Sequence, residues 1–580
     1  MDDRLASLLP YPVTVRERPG RLNLTAMPVI RPARGSDDLA RAARQALGAI
    51  PWPARLAGGP AAGEAGQERE AGPELSVTAA ADLGAEGYRL VIGSDRIGIA
   101  AGGRAGAFYA AQTLRQLLPD DAWRSAPVAG APWTVPCAEI EDAPALAWRG
   151  GHLDVSRHFF TKPEVLRFID ALAAHKLNRL HLHLTDDQGW RVESRRHPRL
   201  HLVGSHRART RISLNGEQPA VYDDIPHGGY YTLADLAEIA AYAAARMVTV
   251  VPEIELPGHA SALLAALPEM SSAPGRRCRV RADWGVFGDL ISPLPATLEF
   301  LRDIFRELLD AVPARYVHIG GDECVLDAWR DSPKIDAYRR ELGLADAVDL
   351  QAWMLREVAD MLAGEFGARA VVWDEGFAAS RRARREGGAG LRQDTVVMAW
   401  RGMGIARLAA EAGHDIIVVP VLPTYFDYAQ SGRDDEPAAI GGPIRAEDVA
   451  AFEPLPPDWP EQARWRVLGT QFQLWTEYIR NWRSVEYMAF PRGCALAEVA
   501  WAGQPAGWSD GGSRPPLRDR LAAQQRRLDA AGIEYRPLAG PLPWQRGGTG
   551  PRRHRAGYPV SEVMRSLAAQ ASREVSGRPE

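Results

Sequence analysis

The sequence predicts an α/β fold. A (β/α)8 TIM barrel is expected over residues 146–505, preceded by a small α+β domain over 1–145. A C-terminal helical extension, a helix and a loosely structured tail, is expected over 506–580. Three observations predict the barrel. From about residue 147, eight short β-rich runs alternate with helical patterns. Nearly every run ends in acidic, aromatic or histidine side chains, at the end where such a barrel builds its site. No Gly-rich phosphate loop follows any run, which disfavours a doubly wound sheet.

The first 145 residues mix strand-like and helix-like pieces. Val13–Arg18 reads as a strand, and YRLVIGSDRIGIA (88–100) as two apolar runs around a turn. Arg104–Leu118 has the spacing of an amphipathic helix. GGPAAGEAGQEREAG (58–72) reads as a flexible insertion. The eight barrel runs are Gly151–Val155, Arg179–Leu184, Val248–Glu253, Tyr316–Ile319, Ala370–Trp373, Thr395–Ala399, Ile416–Val419 and Val467–Phe472. The clearest helices between them are Pro163–His175, Leu233–Ala245, Thr297–Ala311 and Leu350–Leu362.

Composition narrows the class. The 580 residues are 46% hydrophobic and 24% charged, with a net charge of −4, so no basic field points to nucleic acid. No apolar run approaches the roughly 18 residues of a membrane span. The N-terminus, MDDRLASLLP, has no signal-peptide pattern, so a cytoplasmic location is expected. Cys137, Cys278, Cys324 and Cys494 form no CxxC, which suggests neither a zinc site nor a disulfide framework. The three lysines, Lys162, Lys176 and Lys334, lie outside the candidate strands, which disfavours Schiff-base chemistry. Trp, at 17, outnumbers Tyr at 15 and Phe at 13.

The strand ends carry the chemistry. In order they give Asp154-Val-Ser-Arg157, His181-Leu-His183-Leu-Thr-Asp186-Asp187-Gln188, Glu253-Ile-Glu255-Leu-Pro-Gly-His259 and His318-Ile-Gly-Gly-Asp322-Glu323. Trp373-Asp374-Glu375, Trp400-Arg401, Tyr425-Phe-Asp427 and Trp475-Thr-Glu477 follow. Asp322-Glu323 is the sharpest signal. Neighbouring side chains on a strand face opposite ways, so two adjacent carboxylates share a site only beyond the strand end. Gly320-Gly321 supplies the backbone freedom for that turn. Two close carboxylates split their titration into one acid and one anion.

HIGGDE, with Trp329 six positions beyond Glu323, resembles the signature of family 20 glycoside hydrolases, the β-N-acetylhexosaminidases. WRGGHLDVSRHF, LNRLHLHLTDDQGWR, GGYYT, VVPEIELPGHA, YFD, QLWTEY and PRGCALAEVAW follow the same family's order, and the resemblance covers roughly residues 10–505. It implies an exo-acting, retaining enzyme that needs no cofactor and removes terminal β-linked GlcNAc or GalNAc. The substrate's own acetamido carbonyl would act as nucleophile, through an oxazolinium intermediate. By resemblance Glu323 is the general acid and then base, Asp322 accepts the acetamido N–H, and Tyr425 donates to the acetamido carbonyl. Trp373, Trp400 and Trp475 would wall the pocket, Arg157 would hold outer hydroxyls, and Asp427 and Glu477 would accept hydroxyls near O4 and O6. His259, oriented by Asp186, would stand behind Glu323 and tune it. Phe426, Glu255 and Cys324 depart from the family's usual residues, and Phe426 is expected to alter the pocket wall.

Two rival readings use the same residues. One is a metal-dependent barrel hydrolase built on His181 and His183, with one histidine expected to face the barrel and the other the helix layer. After His318 only His414 and His554 are left as further histidine ligands, so no metal is expected. The other is a non-catalytic sugar-binding protein of the same fold, which has no need of a split carboxylate pair. The expected partner is a carbohydrate, with no nucleic acid and no membrane. The oligomeric state is left open.

Overall fold

The structure, a computed structural model, describes residues 1–24, 26–53, 72–128, 133–273, 275–385, 390–510, 512–546 and 560–576. Apart from Gly72, the insertion expected over 58–72 lies outside the described residues. Eight parallel strands close into a barrel in chain order: Trp148–Asp154, Arg179–His183, Thr249–Leu256, Tyr316–Gly320, Arg369–Trp373, Val396–Ala399, Ile416–Val418 and Val467–Phe472. The fold class is the predicted one. The third strand runs three residues beyond its expected end, to Leu256, because Glu253 and Glu255 are both buried on it instead of leaving it for a loop.

The lower interior is apolar, with Trp148, Val251, Tyr316, Val371, Val396 and Ile417 in one cluster. Above it the register places Asp154 beside His183, His183 beside Glu253 and Glu253 beside His318. This overturns the expectation that His181 and His183 face opposite ways. Residues i and i+2 of a strand share a face. Both side chains face the barrel interior and contact Glu253, with His181 Nε2 3.0 Å from Glu253 Oε2 and His183 Nδ1 2.5 Å from the same oxygen.

The N-terminal region forms a six-stranded mixed sheet, in the order Thr14–Asn23, Thr134–Asp142, Tyr88–Ile92, Arg96–Ala101, Glu74–Ala79 and Val29–Pro32. Helices Asp37–Gly48 and Arg104–Leu117 pack together against it. The sheet docks at the N-terminal end of the barrel strands. Lys176 Nζ lies 2.9 Å from Asp142 Oδ2, with both side chains fully buried, and Arg149 meets Glu86 at 2.8 Å. A buried charge is tolerated only with a partner, so each pair fixes the sheet to the barrel at a defined place.

The described part of the C-terminal extension is tied to the rest of the fold by buried polar contacts. In helix Leu517–Ala530, Arg520 is paired with Glu498 at 2.7 Å, and Arg527 donates to the Ser7 carbonyl at 3.0 Å. Arg520 and Arg527 are buried donors that anchor this helix, while Arg518 and Arg526 face solvent. A second helix, Val560–Ser576, packs beside the helices that follow the fifth and sixth strands. Among the described residues, no helix is long and apolar enough to cross a membrane.

Candidate active site

The fourth strand stops at Gly320, and the next residues turn through left-handed backbone: φ is +63° at Gly320, +99° at Gly321 and +46° at Glu323. The non-glycine residue Glu323 in that region carries strain of about 1–3 kcal/mol, which the surroundings must hold. The turn lets Asp322 and Glu323 enter one pocket. Asp322 is largely buried, and its Oδ1 has no protein partner, whereas the Glu323 side chain is 39% exposed. A Cβ on Gly320 would stand 1.8 Å from Glu255 Oε2. Gly320→Ala is expected to cost about 2–3 kcal/mol of stability, through the clash and the positive φ together. Denaturant unfolding checks this, and an unchanged midpoint would contradict it.

His259 joins two pairs of carboxylates. Its Nε2 lies 3.4 Å from Glu323 Oε2 and 3.6 Å from Asp322 Oδ2, and its Nδ1 lies 3.2 Å from Asp187 Oδ2 and 3.3 Å from Asp186 Oδ1. Sequence reading assigned the orienting role to Asp186 alone. The two aspartates share it, and Asp187 is itself fixed by the Ser261 N–H at 2.9 Å and by its hydroxyl at 2.6 Å. Burial disfavours a charged His259, but Asp186 and the other carboxylates outweigh burial and hold it protonated well above the usual histidine range. Burial, opposed by His259 and reinforced by Glu323, pushes Asp322 up to about 6.

Arg157 lies across the pocket floor. Its Nη2 meets Asp186 Oδ2 at 2.8 Å, its Nε donates to Gln188 Oε1 at 3.1 Å, and its guanidinium sits 5.0 Å from the Trp475 ring centre. Asp154, which sequence reading left without a role, accepts from the Arg157 N–H at 3.0 Å and from the Thr476 N–H at 3.1 Å. It thereby ties the first strand end to the eighth.

The aromatic wall is continuous. Trp373 and Trp475 are 6.0 Å apart, Trp475 and Tyr425 are 6.4 Å apart, and Tyr425 and Trp400 lie 6.2 Å apart with 27° between planes. Trp373 is aimed by its indole N–H, which donates to Glu253 Oε1 at 3.0 Å, and Trp400 by a bond to Glu375 Oε2 at 2.9 Å. Asp427 and Glu477 face the same region. Burial, then mutual repulsion, raises Asp427 well above its usual range, and burial raises Glu477 too. Asp427 Oδ1 has no protein partner. Phe426 does not line the wall. It is fully buried and stacks on Phe472 at 4.8 Å and 7°, facing the opposite way from its neighbours Tyr425 and Asp427. The Cys324 thiol donates to the Asp322 carbonyl at 3.2 Å, and burial raises it well above the usual thiol range, so it is not a poised nucleophile.

Beneath the wall lies a group that sequence reading missed. Glu253 is fully buried and is contacted by His181, His183, His318 and Trp373. Burial works against its charge, but the three imidazoles prevail and hold its carboxyl well below the usual range. His181, Glu253 and His318 present atoms within 4.8 Å of one another, as a metal set would. Glu253 accepts from Trp373 and is bonded by His183, which also meets Asp186, and His181 Nδ1 lies 2.9 Å from Gln471 Nε2, whereas His181 Nε2 and His318 Nε2 make no hydrogen bond among the described residues. Through Glu253 the HxH pair braces the floor of the pocket.

Comparison with known proteins agrees with this geometry. Residues 146–504 match the family model "Glycosyl hydrolase family 20, catalytic domain", and residues 6–143 match "Glycosyl hydrolase family 20, domain 2". The chain is 38% identical over 479 residues to a beta-hexosaminidase of Porphyromonas gingivalis, covering 82% of this chain and 57% of that one. It is 35% identical over 414 residues to a beta-hexosaminidase of Vibrio furnissii, covering 71% and 64%. It thus spans less than two thirds of the length of each. The GH20 exo beta-N-acetylglucosaminidase of Vibrio harveyi, solved in complex with N-acetylglucosamine, superposes with a TM-score of 0.76 at 29% identity, over 92% of this chain and 78% of that one. The chain, in its barrel and in the domain before it, belongs to glycosyl hydrolase family 20.

Proposed function

We propose that this protein is an exo-acting, retaining β-N-acetylhexosaminidase that removes terminal β-linked GlcNAc or GalNAc by substrate-assisted catalysis. The observation that carries the proposal is the Asp322–Glu323 pair, delivered by a left-handed turn into a pocket walled by Trp373, Trp400, Trp475 and Tyr425. The names of the similar proteins and the N-acetylglucosamine bound to the V. harveyi protein support the same substrate class.

In this reading Glu323 gives its proton to the glycosidic oxygen as the C1–O bond breaks. The acetamido carbonyl oxygen bonds to C1 from the opposite face, forming the oxazolinium. Asp322 accepts the acetamido N–H and offsets the positive charge that develops there. Tyr425 donates its hydroxyl to the carbonyl oxygen and orients it. Glu323, now a carboxylate, takes a proton from the water that attacks C1 and reopens the ring, with net retention. His259, held protonated, stabilises that carboxylate between the two half-reactions. Arg157, Asp427 and Glu477 hold the sugar's hydroxyls, and the unpartnered Asp427 Oδ1 is a free acceptor for one of them.

Hydrolysis of a chromogenic aryl β-GlcNAc glycoside, insensitive to a chelator and inhibited by an N-acetylglucosamine thiazoline, is the expected result. No hydrolysis would overturn the reading, and loss of activity with the chelator would favour metal chemistry. The pH profile follows from Asp322, pushed up to about 6 and needed as an anion. Activity is therefore lost as pH falls through about 6, and kcat/KM should show an acid limb there. Asp322→Asn should remove that limb, and a limb that persists in the variant would assign it to another group.

A further inference from the structure

Helix Val560–Ser576 lies outside both family-matched regions, yet it packs against the helices that adjoin the active-site wall. Its inward stripe is Met564, Leu567, Ala571 and Val575, at the three- and four-residue spacing of one helical face. Ala571 and Val575 are buried. The stripe meets helix Asp374–Arg385, helix Met403–Glu411 and the short helix Val421–Thr424. These three segments begin or end at the wall: Asp374 follows Trp373, Met403 lies three residues after Trp400, and Thr424 precedes Tyr425.

A polar contact joins the helix to the residue that follows Trp400. Glu574 Oε2 accepts from Arg401 Nη1 at 2.5 Å, across 173 residues of chain. Arg401 is fully buried, and its Nε donates to Asp374 Oδ1 at 2.5 Å. Asp374 Oδ2 in turn accepts from the Trp400 N–H at 2.9 Å and the Arg401 N–H at 3.0 Å. The backbone of Trp400 is therefore fixed by a chain of three charged groups that ends on the C-terminal helix. A buried guanidinium that loses one carboxylate re-pairs with what is left, here Asp374 and Glu375, and both of those hold Trp400.

We infer that Glu574 is a positioning residue for the acetamido pocket: through Arg401 and Asp374 it sets the place of Trp400, and with it how tightly the pocket closes on the substrate's N-acyl group. The inference rests on the proposed function and adds to it a determinant of acyl-group specificity. A wall moved by a fraction of an ångström still admits the sugar but no longer distinguishes an acetyl from a longer acyl group.

The test uses the full-length chain, with 4-nitrophenyl β-glycosides of N-acetyl- and N-propionyl-glucosamine. Wild type should prefer the acetyl substrate. In Glu574→Gln, which keeps the shape and removes the charge, that preference in kcat/KM should shrink about tenfold, with little change in melting temperature. Glu574→Asp should restore part of it. Ala571→Glu, which places a charge in the helix's buried stripe, should shrink it in the same way. If the acetyl and propionyl rates fall in parallel, or neither changes, the inference is overturned. Failure of the wild-type chain to hydrolyse either glycoside would instead overturn the proposed function.

Discussion

Glu323→Gln should lower kcat about 10³-fold on glycosides with poor leaving groups, the range expected when a positioned general acid is removed. The loss should depend on the leaving group. A dinitrophenyl glycoside, whose aglycone departs without protonation, should form the intermediate at close to the wild-type rate. The variant would then be limited by the second step, which needs the same residue as a base. Glutamine fits the space of the carboxylate, and the Glu323 side chain is partly exposed, so the fold should be unaffected. Steady-state and burst kinetics over a series of aryl glycosides measure this. Wild-type rates on alkyl or sugar aglycones would remove Glu323 from the mechanism.

The second large effect is expected at Asp322. Its Oδ1 is buried with no protein partner, which leaves an acceptor for the acetamido N–H. Asparagine can present a carbonyl there but carries no charge to set against the developing oxazolinium. Asp322→Asn should therefore slow formation of the intermediate about 10²-fold or more, an effect of the size seen when one preorganised electrostatic group is lost. Binding of neutral product should change far less. A thiazoline resembles the charged intermediate, so it should lose more affinity for the variant than N-acetylglucosamine does. Equal losses for both ligands would mean that Asp322 contributes uniform binding and not catalysis.

Both residues stood out in the sequence because their chemistry is local: two carboxylates after Gly-Gly cannot share a regular strand. The barrel was legible for a similar reason, since each strand announces itself within a few residues. What escaped depends on contacts across the barrel. Glu253 gathers imidazoles from the second and fourth strands and an indole from the fifth, and only the closed register brings them together. Asp187 was passed over because adjacent aspartates are alike in sequence. Its distinction comes from Ser261, 74 residues on. Phe426 draws attention in sequence as a departure from the family's usual residue beside Tyr425 and Asp427, yet it faces away from them and stacks on Phe472. The burial of Arg520 and Arg527 is not legible in line, since nothing in their own segment supplies Glu498 or the Ser7 carbonyl as a partner.

The seal between sheet and barrel has a practical consequence. With Lys176 enclosed against Asp142, the side-chain amines that water reaches are those of Lys162 and Lys334. Lys162, at the start of the helix that follows the first strand, is itself paired with Asp235 and Glu238 of helix Leu233–Ala245. Amine-reactive dyes, crosslinkers and resins would therefore find very few lysine side chains to attach to, beside the part-exposed α-amine of Met1. Coupled through these few amines, the protein would be held in a handful of orientations instead of the many that a lysine-rich surface allows.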